Sequence, residues 1–369
     1  MKTYNWQQED WPHFRYDLEA IQHKLYGYEK QAGQIQGISK SLPHKDQIEQ
    51  VLQVMVEEAM KTSEIEGVYL SRKDIMSSLQ MNMGLTVEAI PVRDRKARGI
   101  AEMLMVARRT FNEPLSHQQL FDWHILLMAD VKNINLGVYR THPEPMQVVS
   151  GAAGKEKVHF VAPPSDRVIE EMNRFMTWFN DSAPGGPIII HAGPVRSAIA
   201  HLYFETIHPF EDGNGRIGRA IAEKALSQHL HYPVLFSLSG AIESRKNDYY
   251  NALERAQRSN EVTSWINYFV QTILEAQESA TRLIEFTLQK TRFFDTYHDQ
   301  LNNRQLKVIQ RVLDEGPDGF EGGINARKYQ SITHTSKATA TRDLQDLVNK
   351  GIFISLGAGG RSTSYKVNL

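Results

Sequence analysis

Residues His208 to Arg219, HPFEDGNGRIGR, bring a base, a carboxylate, a glycine-rich turn and two guanidiniums into one short stretch. Each part suits phosphate chemistry. His208 titrates near neutrality and can take a proton from an attacking hydroxyl. Asp212 offers a hard oxygen ligand of the kind Mg²⁺ takes alongside substrate phosphates. Gly213, Asn214 and Gly215 let successive backbone N–H groups turn around an anion. Ile217 and Gly218 belong to a stretch, IGRAIAEKALSQHL, with helical periodicity. An anion in the turn would therefore also meet the positive end of a helix. Arg216 and Arg219 share one face near that helix start and can clamp phosphate oxygens with forked hydrogen bonds. A satisfied core histidine or a solvated arginine would explain any one of these residues, but not the whole set in one run.

The elements that must hold this run can be read around it. HAGPVRSAIAHLYFETI reads as a helix leading in. Farther upstream, Gly137, Val138, Tyr139 and Arg140 open a segment in which MQVVSG and VHFVAPP are short β-like runs separated by a Gly/Lys turn. Pro163 and Pro164 then precede a helix, so the spacing predicts a β-hairpin in helical surroundings.

At every specified position the run matches HxFx[D/E]GNGRxxR, and in this the chain resembles the Fic (filamentation induced by cAMP) family. The flanks, HAGPVRSAIAHLYFETIHPF and LSGAIESRKNDYYNALERA, are similar to the helices on either side of the Fic loop. The resemblance implies a mainly helical core with a small hairpin flap that aligns a target segment by main-chain pairing. It implies transfer of AMP from ATP to a hydroxyl side chain of a protein. His208 would be the general base, Asp212 the Mg²⁺ ligand, and Gly213, Asn214 and Gly215 the holders of the α- and β-phosphates. Arg219 would bind the γ-phosphate, with Arg216 in support. Val148, Val149, Ser150 and Gly151 of the flap would lie beside the nucleotide. Tyr249 and Tyr250 fall where the family commonly has a tyrosine pair near the adenine, and Gln257 where some relatives carry an Asn. Gly215 is intact, so AMP transfer is favoured over the phosphate transfer of the Doc branch.

In EEAMKTSEIEGVYLSR, Thr62, Glu66 and Gly67 are similar to the family's inhibitory motif [S/T]xxxE[G/N]. Its place before the core matches the class with an N-terminal inhibitory helix. By that resemblance Glu66 would pair with Arg219 and block productive placement of the γ-phosphate. Self-association is one way to relieve such a brake, so a homo-oligomer is among the expected partners.

The chain has 369 residues, 41% of them hydrophobic, enough for a large core and two or three domains. Its 42 basic and 43 acidic residues give no global pull toward nucleic acid or membrane. Without cysteine there are neither disulfides nor thiolate metal sites. No apolar stretch is long enough to span a bilayer and the first residues lack a signal-peptide core, so a cytoplasmic location is expected. The expected division is 1–85, a helical domain carrying the inhibitory motif; 86–285, the Fic core; 286–300, a linker helix; and 301–369. Trp6, Trp11, Phe14 and Tyr16 at the start read as anchors onto the core.

After Leu301 three helical stretches, RQLKVIQRVLDEG, NARKYQSI and SKATATRDLQDLVNKG, precede two short alternating runs around glycines. This order looks like a winged helix. Ser336, Lys337, Thr339, Thr341 and Arg342 would line the exposed face of its third helix and Arg361 the wing, while Asp343 and Asp346 dilute the basic stripe. Two functions outside the favoured one follow. The chain could be a DNA-binding regulator whose core senses nucleotide, or an enzyme that removes AMP from targets. A pure sensor would need phosphate ligands but no base.

Overall fold

The computed structural model describes residues 3–85, 93–150, 157–316, 319–357 and 363–369. It is mainly helical, with two small antiparallel hairpins. Gly151 and Arg361 lie outside the described residues. The chain forms two compact units, one of residues 1–37 and 47–280 and the other of residues 38–46 and 281–369.

The helices are, in order, α1 (Gln22–Ser41), α2 (His44–Ile65), α3 (Arg72–Asn82), α4 (Arg95–Arg109) and α5 (His117–Met128). The hairpin β1 (Gln147–Ser150) and β2 (Lys157–Val161) follows, then α6 (Val168–Asp181), α7 (Gly193–Ile207), α8 (Asn214–Leu230), α9 (Leu238–Ser244) and α10 (Lys246–Ala256). The 35-residue α11 (Thr263–Tyr297) follows, its residues up to 280 belonging to the first unit and those from 281 to the second.

At the centre of the first unit is α7. Pro194 opens it, where a missing N–H costs nothing, and every residue from Gly193 to Ile207 is buried. A helix buried on every side lies inside a core, and several of its polar side chains find partners there. The Arg196 guanidinium donates to the Phe179 and Ala225 carbonyls and to Gln228 Oε1. α7 packs on α8, and Gly218 lets them meet: a Cβ there would overlap Glu205 Oε1 and stand 3.3 Å from His201 Cε1. α4 and α5 cover the other side with Ile100, Met103, Leu120, Trp123 and Leu127. Asp94 caps α4 through the Lys96 and Ala97 amides, a contact worth about 1 kcal/mol.

In the second unit, α12 (Asn303–Leu313), α13 (Ala326–Thr333) and α14 (Lys337–Asn349) precede β3 (Phe353–Ser355) and β4 (Tyr365–Val367). A capping box between Asn302 and Gln305 starts α12. Ser336 caps α14 through the Thr339 amide. Val308, Ile309, Tyr329, Leu344, Leu347 and Phe353 form the core, joined by Phe286 and Phe293 of α11.

Candidate active site

The loop between α7 and α8 is a tight reversal fixed at both ends by left-handed backbone. His208 closes α7 with φ 51°, and Gly213 starts α8 with φ 85°. A non-glycine residue in that region stores strain, so its surroundings must hold it. Arg140 does so: its amide donates to Pro209 O at 2.9 Å, Nε to His208 O at 2.8 Å and Nη2 to Ile207 O at 3.2 Å. Asn214 braces the loop from within, accepting from Phe210 N at 2.9 Å and donating to Phe210 O at 2.8 Å. Its side chain is therefore spent on the loop. What remains for an anion are the first-turn amides of α8, which have no intrahelical acceptor.

His208 is largely buried, and its Nδ1 has no hydrogen-bond partner among the described residues. Burial, reinforced by the Arg140 guanidinium, pulls it down to about 4, so the ring is neutral at pH 7 and can accept a proton. Glu205, one turn earlier on α7, brings Oε2 to 3.8 Å from that Nδ1. Burial pushes Glu205 up to about 8, leaving two neutral groups face to face at neutral pH. Asp212 is half exposed; its Oδ1 accepts from Gly213 N at 2.6 Å and lies 3.5 Å from Arg216 Nη2. Arg216 is buried against Met128 Sδ, and its Nε has no hydrogen-bond partner among the described residues. Ile217 is fully buried and anchors the start of α8.

Arg219 is 1% exposed and faces α2. Nε donates to Thr62 Oγ1 at 2.8 Å, while Nη2 donates to Thr62 O at 2.9 Å and to Glu66 Oε1 at 2.8 Å. Nη1 is buried without a hydrogen-bond partner among the described residues. Burial opposes ionisation of Glu66, yet the neighbouring Arg219 charge outweighs it and holds the carboxyl below its usual range. Glu58 and Thr62 of α2 and Glu66 just beyond its end, four residues apart, form one stripe. Glu58 continues it downward, accepting from Ser237 Oγ at 2.8 Å and from Ser239 N at 2.9 Å. The end of α2 is also held by Lys246 on Glu64 O and by Tyr250, whose hydroxyl donates to Ile65 O at 3.2 Å.

The other candidate residues fall in different surroundings. Tyr250 is 38% exposed, whereas Tyr249 is buried with its hydroxyl 2.8 Å from His201 Nε2. Gln257 is buried too, donating to Glu205 O at 3.3 Å. Val149 is exposed on β1, paired across the hairpin with Val158; Val148 pairs with Phe160, and Ser150 with Lys157. Residues the sequence did not single out for the site are Arg140, Glu205 and His124. His124 stacks on Phe210 at 4.3 Å and accepts the Gly137 amide. A signal existed for Glu205, which stands one helical turn before His208; none existed for the others.

The Fic/DOC family profile matches residues 114–226, and a domain of unknown function (DUF4172) matches residues 4–85. The protein adenylyltransferase Fic of Nematostella vectensis is 25% identical over 164 residues, 43% of this chain and 36% of that protein. That of Culex quinquefasciatus is 26% identical over 218 residues, 58% of this chain and 38% of that protein. The chain thus spans well under half the length of these curated relatives. Among solved structures, a Fic family protein from Desulfovibrio desulfuricans G20 shares the fold with a TM-score of 0.53 at 18% identity, over 94% of this chain and 96% of that one. Fic-1 from C. elegans does so with a TM-score of 0.51 at 20% identity, over 74% of each chain. The family match runs from just before α5 through the hairpin and α7 into α8, the elements that build the loop, so residues 114–226 carry a match to the Fic/DOC family.

Proposed function

We propose that the chain is a protein adenylyltransferase that moves AMP from ATP to a Ser, Thr or Tyr hydroxyl of an acceptor protein, itself included, and that Glu66 restrains it. The observation that carries this reading is the state of Arg219. A fully buried guanidinium beside the free amides of α8, with Nη1 unsatisfied, is a phosphate clamp whose remaining arm is held by a carboxylate.

In the reaction the acceptor oxygen bonds to the α-phosphorus, the bond from that phosphorus to the bridging oxygen breaks, and pyrophosphate leaves. The hydroxyl proton passes to neutral His208. The α8 amides and both arginines meet the charge on the phosphates. Among the described residues no cluster of three or more His, Cys, Asp or Glu is placed to hold a metal. A half-exposed Asp212 whose Oδ2 makes no hydrogen bond still fits Mg²⁺, which takes one carboxylate plus substrate phosphates. Bound there, Mg²⁺ would neutralise phosphate charge. The curated relatives' name, protein adenylyltransferase, supports ATP as donor.

A second reading, duplex DNA as a partner of the C-terminal unit, is favoured by one observation. Asp343, which would dilute a basic face on α14, is 4% exposed and turned inward onto Arg304 Nε at 2.8 Å and Tyr329 Oη at 2.9 Å. Asp346 is bound by Gln305 and Lys350. Lys337, Thr341, Arg342 and Gln345 are left exposed on α14, a face suited to phosphates and base edges.

The test of the enzyme is incubation with Mg²⁺ and ATP labelled at the α-phosphate, comparing the parent, Glu66→Gly, and Glu66→Gly with His208→Ala. Label on the Glu66→Gly protein that vanishes in the double variant is expected. No label on any of the three, with a lysate supplied as acceptor, would sink the reading.

A further inference from the structure

The first residues of the chain fasten the hairpin to the helix that carries His208. Tyr4 packs edge-on against Phe160 of β2, ring centroids 5.0 Å apart. Arg258 lies over the Tyr4 ring at 4.1 Å and donates through Nη2 to His159 O at 2.9 Å. Trp6 Nε1 donates to Val161 O at 2.8 Å. Since the Ala162 amide donates to Met146 O across the hairpin at 2.9 Å, strand alternation turns the Val161 carbonyl away from β1. Acceptors of β2 are thus taken from outside the hairpin. Among the described residues no hydrogen bond reaches the edge of β1 turned away from β2.

The same segment holds α7. Asn5 is fully buried and donates through Nδ2 to Thr206 Oγ1 at 3.3 Å, two residues before His208. Its amide donates to Gln257 O at 3.0 Å, and Asn260 Nδ2 donates to its carbonyl at 3.2 Å. Trp11 packs on Tyr203 of α7 at 5.0 Å and donates to Glu171 Oε2 at 2.9 Å. Buried amide and indole groups partnered this completely leave the segment little freedom.

We propose that residues 4–11 are a positioning strap for the acceptor side of the reaction: they fix β2 against the end of α7 and cap its outer edge, leaving β1 as the edge for acceptor main chain. The inference rests on the adenylyltransferase reading. An uncapped β2 would offer a second, misplaced edge for strand addition. With β2 capped, an added strand has one register and one distance from His208. Tyr4, Asn5, Trp6 and Arg258 are positioning residues.

The experiment uses the full chain carrying Glu66→Gly, with and without Trp6→Phe, which keeps an aromatic ring at the position facing Arg167 and removes the N–H donor together with the indole's five-membered ring. Hydrogen–deuterium exchange is read at residues 147–150, 157–161 and along α7 and α8, together with ATP affinity and AMP transfer. In the Trp6→Phe variant the hairpin amides should exchange about tenfold faster, the equivalent of one lost hydrogen bond. The α7 and α8 amides and ATP affinity should be unchanged, and transfer should fall. Unchanged hairpin exchange overturns the proposal. So does exchange that rises equally through α7 and α8 with weaker ATP binding, because the segment would then merely support the core. If Glu66→Gly transfers no AMP at all, the adenylyltransferase reading fails, while the exchange pattern still decides the strap.

Discussion

The carboxylate of Glu66 fills the space above Gly215. A Cβ on Gly215 would overlap Glu66 Oε1 and stand 3.0 Å from its Cδ, with Arg219 Nη1 at 3.1 Å. The proposed brake is therefore more than an ion pair. It occupies the place at the start of α8 where an anion would approach the amides, and it holds Arg219 at the same time. Gly215→Ala should accordingly destabilise the parent by about 1–3 kcal/mol through overpacking. In the Glu66→Gly background the same change should be neutral or stabilising, since Ala exceeds Gly in helix propensity by about 1 kcal/mol. A double-mutant cycle by urea denaturation reads the coupling. Additive effects would mean that Glu66 leaves this space in solution.

Thr62 supplies two of the acceptors around Arg219, one from its hydroxyl and one from its carbonyl. Thr62→Val keeps the carbonyl and the shape and removes the hydroxyl. A hydrogen bond to a charged group contributes about 1.5–3 kcal/mol, so the closed arrangement should weaken by that order. Basal AMP transfer should then rise about ten- to a hundredfold, by less than in Glu66→Gly, where up to about a thousandfold is expected. Initial rates of labelled self-modification compare the three proteins. A Thr62→Val rate equal to the parent's would show that the hydroxyl takes no part in the restraint.

Glu205 makes stability depend on pH in a definite direction. Its carboxyl is pushed up to about 8 in the folded chain, against an unperturbed value near 4.5. Its contribution is fully present below the unfolded value and is lost as pH rises through the folded one, because the unfolded chain binds fewer protons between the two. Glu205→Gln keeps the shape and cannot ionise. The variant should match the parent at pH 4.5 and exceed it at pH 8.5, by an amount on the order of a few kcal/mol. His208, lowered to about 4, acts oppositely between its folded value and 6.5 and is common to both proteins. Denaturation midpoints at the two pH values provide the comparison. A constant difference would mean that Glu205 is ionised within the fold.

What the sequence made legible was local. The helices on either side of the loop, the hairpin, and the clustering of His208, Asp212 and Arg219 follow from spacing along short stretches of sequence. The partner of Arg219 came through resemblance to a family, since no spacing relates position 219 to position 66. Roles decided by packing were hidden. Asn214 sits in a phosphate-type turn, yet its side chain is consumed by the Phe210 amide and carbonyl. Glu205 looks like an ordinary charged helix residue until α7 is found buried on every side. Arg140 stands 68 residues from His208, and only tertiary folding sets its guanidinium on that carbonyl. Asp343 counts as a surface acid by composition and becomes an internal acceptor once α12 crosses α14.

That last arrangement makes the DNA reading measurable. With Asp343 bound by Arg304 and Tyr329, the exposed side of α14 presents Lys337 and Arg342 without an exposed acid between them. Each cation that meets a phosphate releases about one counterion, so affinity falls with salt in proportion to the number of such contacts. Binding of the full chain to a labelled duplex, followed between 50 and 200 mM salt (roughly the range over which such contacts are screened), should be weakened by Lys337→Ala and Arg342→Ala. Each change should lower the salt slope by about one. Asp343→Asn separates this face from the fold, because it leaves the face's charge in place and weakens its support. That variant should lose thermal stability while keeping the salt slope. Binding that is absent in the parent, or indifferent to both cations, would remove duplex DNA as a partner of α14.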